Sequence, residues 1–482
     1  MANSPYTPSI HILDDDSLLN VFYLYRPFLL GEDQDDDVRL FGGKGCVRGR
    51  WWYKLAHVCQ RWRYLMLGSS LYLGLSLVCT KGTPVADMLA NSSPLPLDIE
   101  YRNCNIAAED EEGTILALKQ RDRVRHVSLK MSASTLQKLI VSIEEEYPIL
   151  ECLVICTRIE DDREDNSTIL TFPETLHAPH LRHLVLTGFA LPIRSRLLTT
   201  AVGLVTLCLI TDHPSAYFHP NTLLQWLSFM PQLETLAILF GFTVPNLDAE
   251  RQLTHTPITT PVTLPNLHHI VFRGVSTYLE ALVRRITTPR LEKLHIRFFH
   301  QHWLSVPRVM QLMNTAENLR FDSARFQFST RQVYLKIYPR GEPKKDALSI
   351  SVYCQHLDRQ VSSMAQISNS LSRMFSAVEY LTLEHDVHCL SSEGHNEVDR
   401  IDWCKLLSSF RNVKTLRIDN GLAKELSRCL RWDDGELPLE LLPKLQELTY
   451  SRSSNTGDAF TSFIDARQNA GSPTTLCNRQ HS

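Results

Sequence analysis

The residues best suited to chemistry in this sequence are few and scattered. His385, His388, Cys389 and His395 fall within eleven positions, and imidazole and thiolate are ligands that zinc favours. Their spacing fits no common finger, and a loop of surface histidines is the plainer account, so no metal site is expected. His180 and His183 would point to opposite faces of one strand. Cys152 and Cys156 would share a face yet stand about 13 Å apart at strand rise, beyond disulfide reach. Gly42-Gly43-Lys44-Gly45 has no Ser or Thr after the lysine and no glycine five positions before it, so it is not a phosphate-cradling loop. Neither G-x-S-x-G nor H-E-x-x-H occurs, and no Ser, His or Asp stands in a nucleophile–base motif. No catalytic residue and no cofactor are expected, and the chain reads as a non-enzyme.

Binding chemistry is better represented. Residues 268–302 hold six Lys/Arg against two Glu, while the whole chain has 50 Lys+Arg against 53 Asp+Glu, a net charge of −3. Within this local inversion, His269, Arg273, Lys293, His295 and Arg297 could read an acidic or phosphorylated protein segment through charge-assisted hydrogen bonds. A solvated face is the blander alternative. The chain as a whole is too acidic for a nucleic-acid coat, and no nucleic-acid partner is expected.

These five residues need elements to hold them, and a recurring phrase supplies them. The pattern apolar-x-x-apolar-x-apolar starts at Val124, Leu150, Leu181, Leu204, Leu233, Leu267, Leu291, Val378, Val413 and Leu445. Six of these starts have proline two positions earlier (Pro148, Pro179, Pro231, Pro265, Pro289, Pro443), where it stops a helix and leaves extended chain. Helical stretches such as 222–229 and 278–286 lie between. One strand plus one helix per 20–35 residues reads as a leucine-rich-repeat solenoid, with a doubly wound α/β domain as the alternative. The Asn or Cys usual eight positions on is missing in every unit, so an irregular, distorted stack is expected. Residues at offsets two, four and six of each phrase would share the face opposite the core. Across units 150–239 that face is apolar (Cys152, Val154, Cys156, Val185, Cys208, Ile210, Ala237, Leu239), either a groove or a surface covered by loops. Segments 332–338 and 347–353 are strand-like but off-pattern, joined by a turn at 339–346.

The N-terminus has a different character. Asp14, Asp15 and Asp16 precede Leu18, Val21, Phe22 and Tyr25 at helical spacing, and Pro27 ends that helix. Trp52, Leu55, Val58, Cys59, Trp62, Leu65 and Met66 form the stripe of a second helix, stopped at Gly68. Together they carry more large apolar groups than some 60 residues bury alone, so a partner protein is expected. The 12 cysteines include no C-x-x-C pair, which fits a reducing compartment, cytoplasmic or nuclear. No secretory signal is legible, and the longest apolar run, 201–210, is too short to cross a membrane.

The segments LDDDSLLNVF (13–22) and LAHVCQRWRYL (55–65) resemble an F-box, most closely that of fungal F-box-like proteins with degenerate leucine-rich repeats. The second half matches at Leu55, Val58, Cys59, Trp62 and Leu65, whereas Asp14 stands where the family has proline and the spacer 29–50 is long. The resemblance implies an α/β chain: a small all-α F-box module at 10–70 with a variable loop at 29–50, then an irregular leucine-rich-repeat solenoid at 71–453. Residues 1–9 read as a disordered end and 454–482 as a loose tail. It further implies the substrate-recognition subunit of an SCF-type ubiquitin ligase. Leu13, Leu18, Phe22, Leu55, Val58, Cys59, Trp62 and Leu65 would bind a Skp-type adaptor, and through it a cullin–RING ligase, with the repeats holding a target protein. The alternatives are a non-degradative scaffold, or an enzyme with a site in an off-pattern region such as 330–400.

Overall fold

The computed structural model describes residues 13–25, 51–91, 95–102, 106–143, 145–157, 169–211, 213–241, 261–299, 301, 304, 306–314, 321–339, 347–385, 398, 400–430, 441–451 and 460–479. The 1–9 end, the 29–50 loop, the 339–346 turn beyond Pro339, and His388, Cys389 and His395 lie outside the described residues. The chain forms two compact units, Met1–Ile210 and Thr211–Ser482.

The first unit begins with short helices. Asp14 accepts the Ser17 backbone N–H at 2.6 Å, which caps the helix Asp15–Tyr25 and places two further acids at its positive end. The tryptophan stripe, expected as one helix, breaks into Trp51–Ala56 and Gln60–Gly68. Cys59 between them is extended, and its Sγ accepts the Trp62 N–H at 3.5 Å as the cap of the next helix. A chain that reverses there cannot continue the 3.6-residue period, so Val58 and Cys59 leave the stripe.

Strands then alternate with helices. In the first unit β1 (Leu77–Cys79), β2 (Leu97–Tyr101), β3 (Val124–Met131), β4 (Cys152–Thr157), β6 (His183–Thr187) and β8 (Thr206–Thr211) lie side by side in chain order, all parallel. The two-residue β5 (Leu170–Thr171) and β7 (Phe189–Ala190) pair separately. The helices Ala108–Leu118, Ala133–Ile140 and Arg196–Thr200 bury Leu118, Leu136, Leu139, Leu197 and Leu198. The first two strands precede the repeat phrases read from the sequence, because neither contains a full L-x-x-L-x-L run.

The second unit continues the plan with β9 (Thr235–Phe240), β11 (His269–Gly274) and β13 (Lys293–Phe298), beside a short pair β10 (Val262–Thr263) and β12 (Ile286–Thr287). Order then departs from sequence. The strands β14 (Ser323–Phe328), β15 (Gln332–Tyr338) and β16 (Leu348–Tyr353) fold as an antiparallel meander, and β16, the last of the three, pairs with β13. Its first strand pairs with β17 (Tyr380–His385), after which β18 (Thr415–Ile418), β19 (Glu447–Ser451) and β20 (Thr475–Arg479) follow in parallel. The off-pattern segments are thus inserted strands: Val333, Leu335 and Ile337 are fully buried, and β15 contacts the helix Leu357–Ser370.

The loose tail expected at 454–482 is corrected within its described part. Residues 461–469 form a helix, and β20 pairs with β19 from Thr475↔Glu447 to Arg479↔Ser451. Phe460 and Phe463 are buried there, and fully buried Arg467 donates to the carbonyls of Leu445, Pro443 and Leu441. Aromatic rings join strands to helices where Phe240 meets Tyr278 at 4.8 Å and Phe328 meets Trp403 at 5.7 Å, and Phe326 meets Phe410, just past the helix Arg400–Ser408, at 5.8 Å. Such pairs add about 0.5–1.5 kcal/mol to the area they bury.

Candidate protein-binding surfaces

The N-terminal module is held by its own core. Leu18, Phe22, Met66 and Leu73 are fully buried, and Phe22 stands edge-on to Trp62 at 4.9 Å. Arg61 donates to Asp15 Oδ1 at 2.6 Å and to the Leu13 carbonyl at 2.7 Å, which ties the third helix to the start of the first. Trp52 Nε1 donates to the Ser76 carbonyl at 3.1 Å and anchors the module just before β1. Of the eight residues expected to meet an adaptor, Leu18, Phe22 and Trp62 are therefore core residues, a correction. Leu55, Cys59 and Leu65 are half-buried; Leu13 and Val58 are exposed.

Other apolar groups face outward instead. Val21, Leu24 and Tyr25 form one stripe of the Asp15–Tyr25 helix, with Leu24 70% exposed. Tyr64 is 79% and Leu71 90% exposed, and Tyr72 also faces solvent. The stripes are legible in the sequence, but both faces of each helix carry large apolar groups. Periodicity alone therefore cannot say which face is inside.

On the first unit's sheet, β2, β3, β4, β6 and β8 align Asp98, His126, Cys152, His183 and Thr206 in one register row. Asp98 is buried, accepts from the Ser76 hydroxyl and meets His126 Nδ1 at 2.7 Å. Burial pushes its carboxyl up, but the hydrogen bond and charge of His126, joined by Ser76, outweigh that and hold it below the ordinary value. Cys152 beside this pair has its thiol pushed up to about 12 by burial and by Asp98 and Glu151, so it stays a thiol at neutral pH. The carboxylate, not the imidazole, is the middle member of Ser76–Asp98–His126, so this group orients no hydroxyl for attack.

The apolar strip is not an open groove. Val185, Cys208 and Ile210 in the first unit are buried, as are Ala237 and Leu239 in the second. On its first strand Cys152 and Val154 are half-exposed, while Cys156 is buried.

The basic residues do converge. His269 pairs with Lys293, Val271 with His295 and Arg273 with Arg297 across β11 and β13, so all five expected residues share one face of two adjacent strands. The His269 and His295 rings lie 5.2 Å apart, edge to face. Burial, then the charges of His295, Lys293 and His268, push His269 down to about 3, so it is a neutral ring at physiological pH. Arg273 Nε donates to the Phe240 carbonyl at 2.7 Å. Lys293 is exposed and the other four are half-buried. What the sequence missed is the continuation of this face across the meander, because antiparallel pairing at 332–353 has no local signature in the repeat phrase.

Among the described residues no group of three or more His, Cys, Asp or Glu could hold a metal ion. No described helix is long and apolar enough to cross a membrane.

No protein-family model matches the sequence, and no curated protein matches it. Among solved structures the chain is similar to the leucine-rich repeat-containing protein LegL7 from Legionella pneumophila, at 11% identity and a TM-score of 0.23. That comparison covers 83% of this chain and 99% of the other.

Proposed function

We propose that this chain is a non-catalytic recognition subunit of an SCF-type ubiquitin ligase, whose N-terminal helices dock a Skp-type adaptor while its strand-and-helix repeats hold a target protein. One observation carries the adaptor half: a module of a few short helices keeps Val21, Leu24, Tyr25, Val58, Tyr64, Leu71 and Tyr72 in solvent although it already has a filled core. Exposed apolar groups in that density mark a protein interface, and burying each is worth about 1.5–3 kcal/mol. The interface residues are these seven with Leu13, while Leu18, Phe22 and Trp62 set their positions. The target half is supported by the parallel strands, which present registered rows of side chains suited to an extended partner. Work on the target is then proximity: the chain raises the effective concentration of target lysines near the ubiquitin donor and breaks no bond itself.

The test is co-expression with a Skp-type adaptor. The full chain should co-purify with it, and Val58→Glu combined with Tyr64→Glu should abolish that at unchanged melting temperature. If the double variant still co-purifies, the exposed surface is not the adaptor site. A reconstituted complex that captures a protein without transferring ubiquitin to it would favour a scaffold over a ligase.

A further inference from the structure

The basic face of β11 and β13 does not end at β13. Register carries it across the meander: His295 pairs with Ser349 and Arg297 with Ser351 on β16, Ser349 with Lys336 and Ser351 with Tyr334 on β15, and Lys336 with Arg325 on β14. Directly paired residues share a face, so Arg273, Lys293, Arg297, Lys336 and Arg325 stand on one surface of the second unit. No carboxylate occupies the matching strand positions of β11, β13, β16, β15 or β14 among the described residues. Glu384, on β17 beyond β14, is the nearest acid along the rows, 3.6 Å from Arg325.

Two small side chains stand in the middle of this surface. Ser349 and Ser351 are the smallest side chains in their rows, and they lie between His295 and Arg297 on one side and Lys336 and Tyr334 on the other. Ser351 is only 2% exposed, and its hydroxyl has no hydrogen-bond partner; the buried Gln332 Oε1 on β15 has none either. A buried hydroxyl without a partner costs about 1–3 kcal/mol, a cost that a ligand accepting from Ser351 would offset.

We propose that this face, with serines at its centre and the cations of β13, β15 and β14 around them, binds an extended acidic segment of a partner protein through a run of carboxylates. The spread of charge selects that class. Four strand spacings from β11 to β14 come to roughly 19 Å, the reach of about six extended residues. A phosphate monoester concentrates its charge at one point and would not extend along the rows. Arginine forks on carboxylates supply direction, and Ser351 adds a neutral donor at the centre once a ligand displaces what covers it. The proposal deepens the target-binding half of the function above and does not depend on the adaptor half.

Fluorescence anisotropy on the full chain tests it, with a labelled ten-residue peptide of alternating glutamate and glycine as the probe. Its glutamine counterpart and a glycine peptide carrying one phosphoserine are the comparisons. The glutamate peptide should bind and the glutamine peptide should not. Arg297→Glu with Lys336→Glu should weaken binding by roughly tenfold or more, whereas Lys130→Glu, an exposed lysine on β3 of the first unit, should leave it unchanged. Ser351→Ala should lower affinity while raising the melting temperature, since it removes a hydroxyl that lacks a partner. Equal loss in the Lys130 variant, unchanged affinity in Ser351→Ala, or tight binding of the phosphoserine peptide alone would each overturn the proposal. Adaptor co-purification is read separately in every variant, so failure of this site and failure of the ligase reading are told apart.

Discussion

Asp98, His269 and Gly188 show how a single position constrains this molecule. Asp98 is ionised in the fold because His126 and Ser76 more than offset its burial. The stability it lends is present above the ordinary carboxylate range and is lost as pH falls through and below it. His269 works in a higher window. Its folded value of about 3 lies below the ordinary 6.5, so the unfolded chain takes up a proton between those values that the folded chain refuses, and stability falls as pH drops from 6.5. Urea midpoints should therefore decline between pH 7.5 and pH 5, and His269→Leu should flatten that decline; an unchanged slope would mean the ring is solvated. Gly188 has φ +80, and a Cβ there would run into the Thr157 hydroxyl. Gly188→Ala should cost about 2 kcal/mol or more in thermal or urea unfolding, whereas Gly203→Ala, with open space around it, should cost far less.

Among the elements, the parallel strands were legible and the inserted ones were not. All ten repeat phrases coincide with strands, from Val124 in β3 to the run that leads into β19, because L-x-x-L-x-L writes the buried face directly into the local sequence. The strands β14, β15 and β16 alternate apolar and polar residues just as well. Which strand they join depends on partners more than fifty residues away, such as Ser351 beside Arg297, and no local pattern encodes that. The C-terminal helix was missed for a related reason: it is secured by Arg467, a charged residue that reads as surface but donates to three backbone carbonyls. Arg467→Met should remove the donor to the Leu441 and Pro443 carbonyls, leave Leu445 to Thr474 alone, and destabilise by about 2 kcal/mol or more. Leu335→Ala in β15, fully buried, should cost about 2–5 kcal/mol. Denaturant titration checks both, and a cost near zero in either would mean that its element is not integral to the second unit.

For the whole molecule, the two proposed surfaces differ in physical kind, and this separates them experimentally. The N-terminal seam is apolar, while the β11–β14 face is cationic within a chain of net charge −3. Raising salt from low to high should slow association with the acidic peptide steeply, because its charges meet through screened solvent. Adaptor docking, driven by buried apolar area, should change little. Interferometry at several ionic strengths checks both; an adaptor interaction as salt-sensitive as the peptide's would contradict the apolar seam.

The local patterns of the chain already contain an acidic-capped amphipathic helix, a strand-and-helix repeat and a basic stretch near residues 268–302, because each arises from neighbours within one or two turns or one strand. The fold decided which apolar side chains hold the N-terminal module and which remain outside. It also closed most of the apolar strip and continued the basic face over strands that no repeat phrase marks. Those outcomes depend on contacts between residues far apart in the chain, where burial and pairing are settled only when the strands find their neighbours.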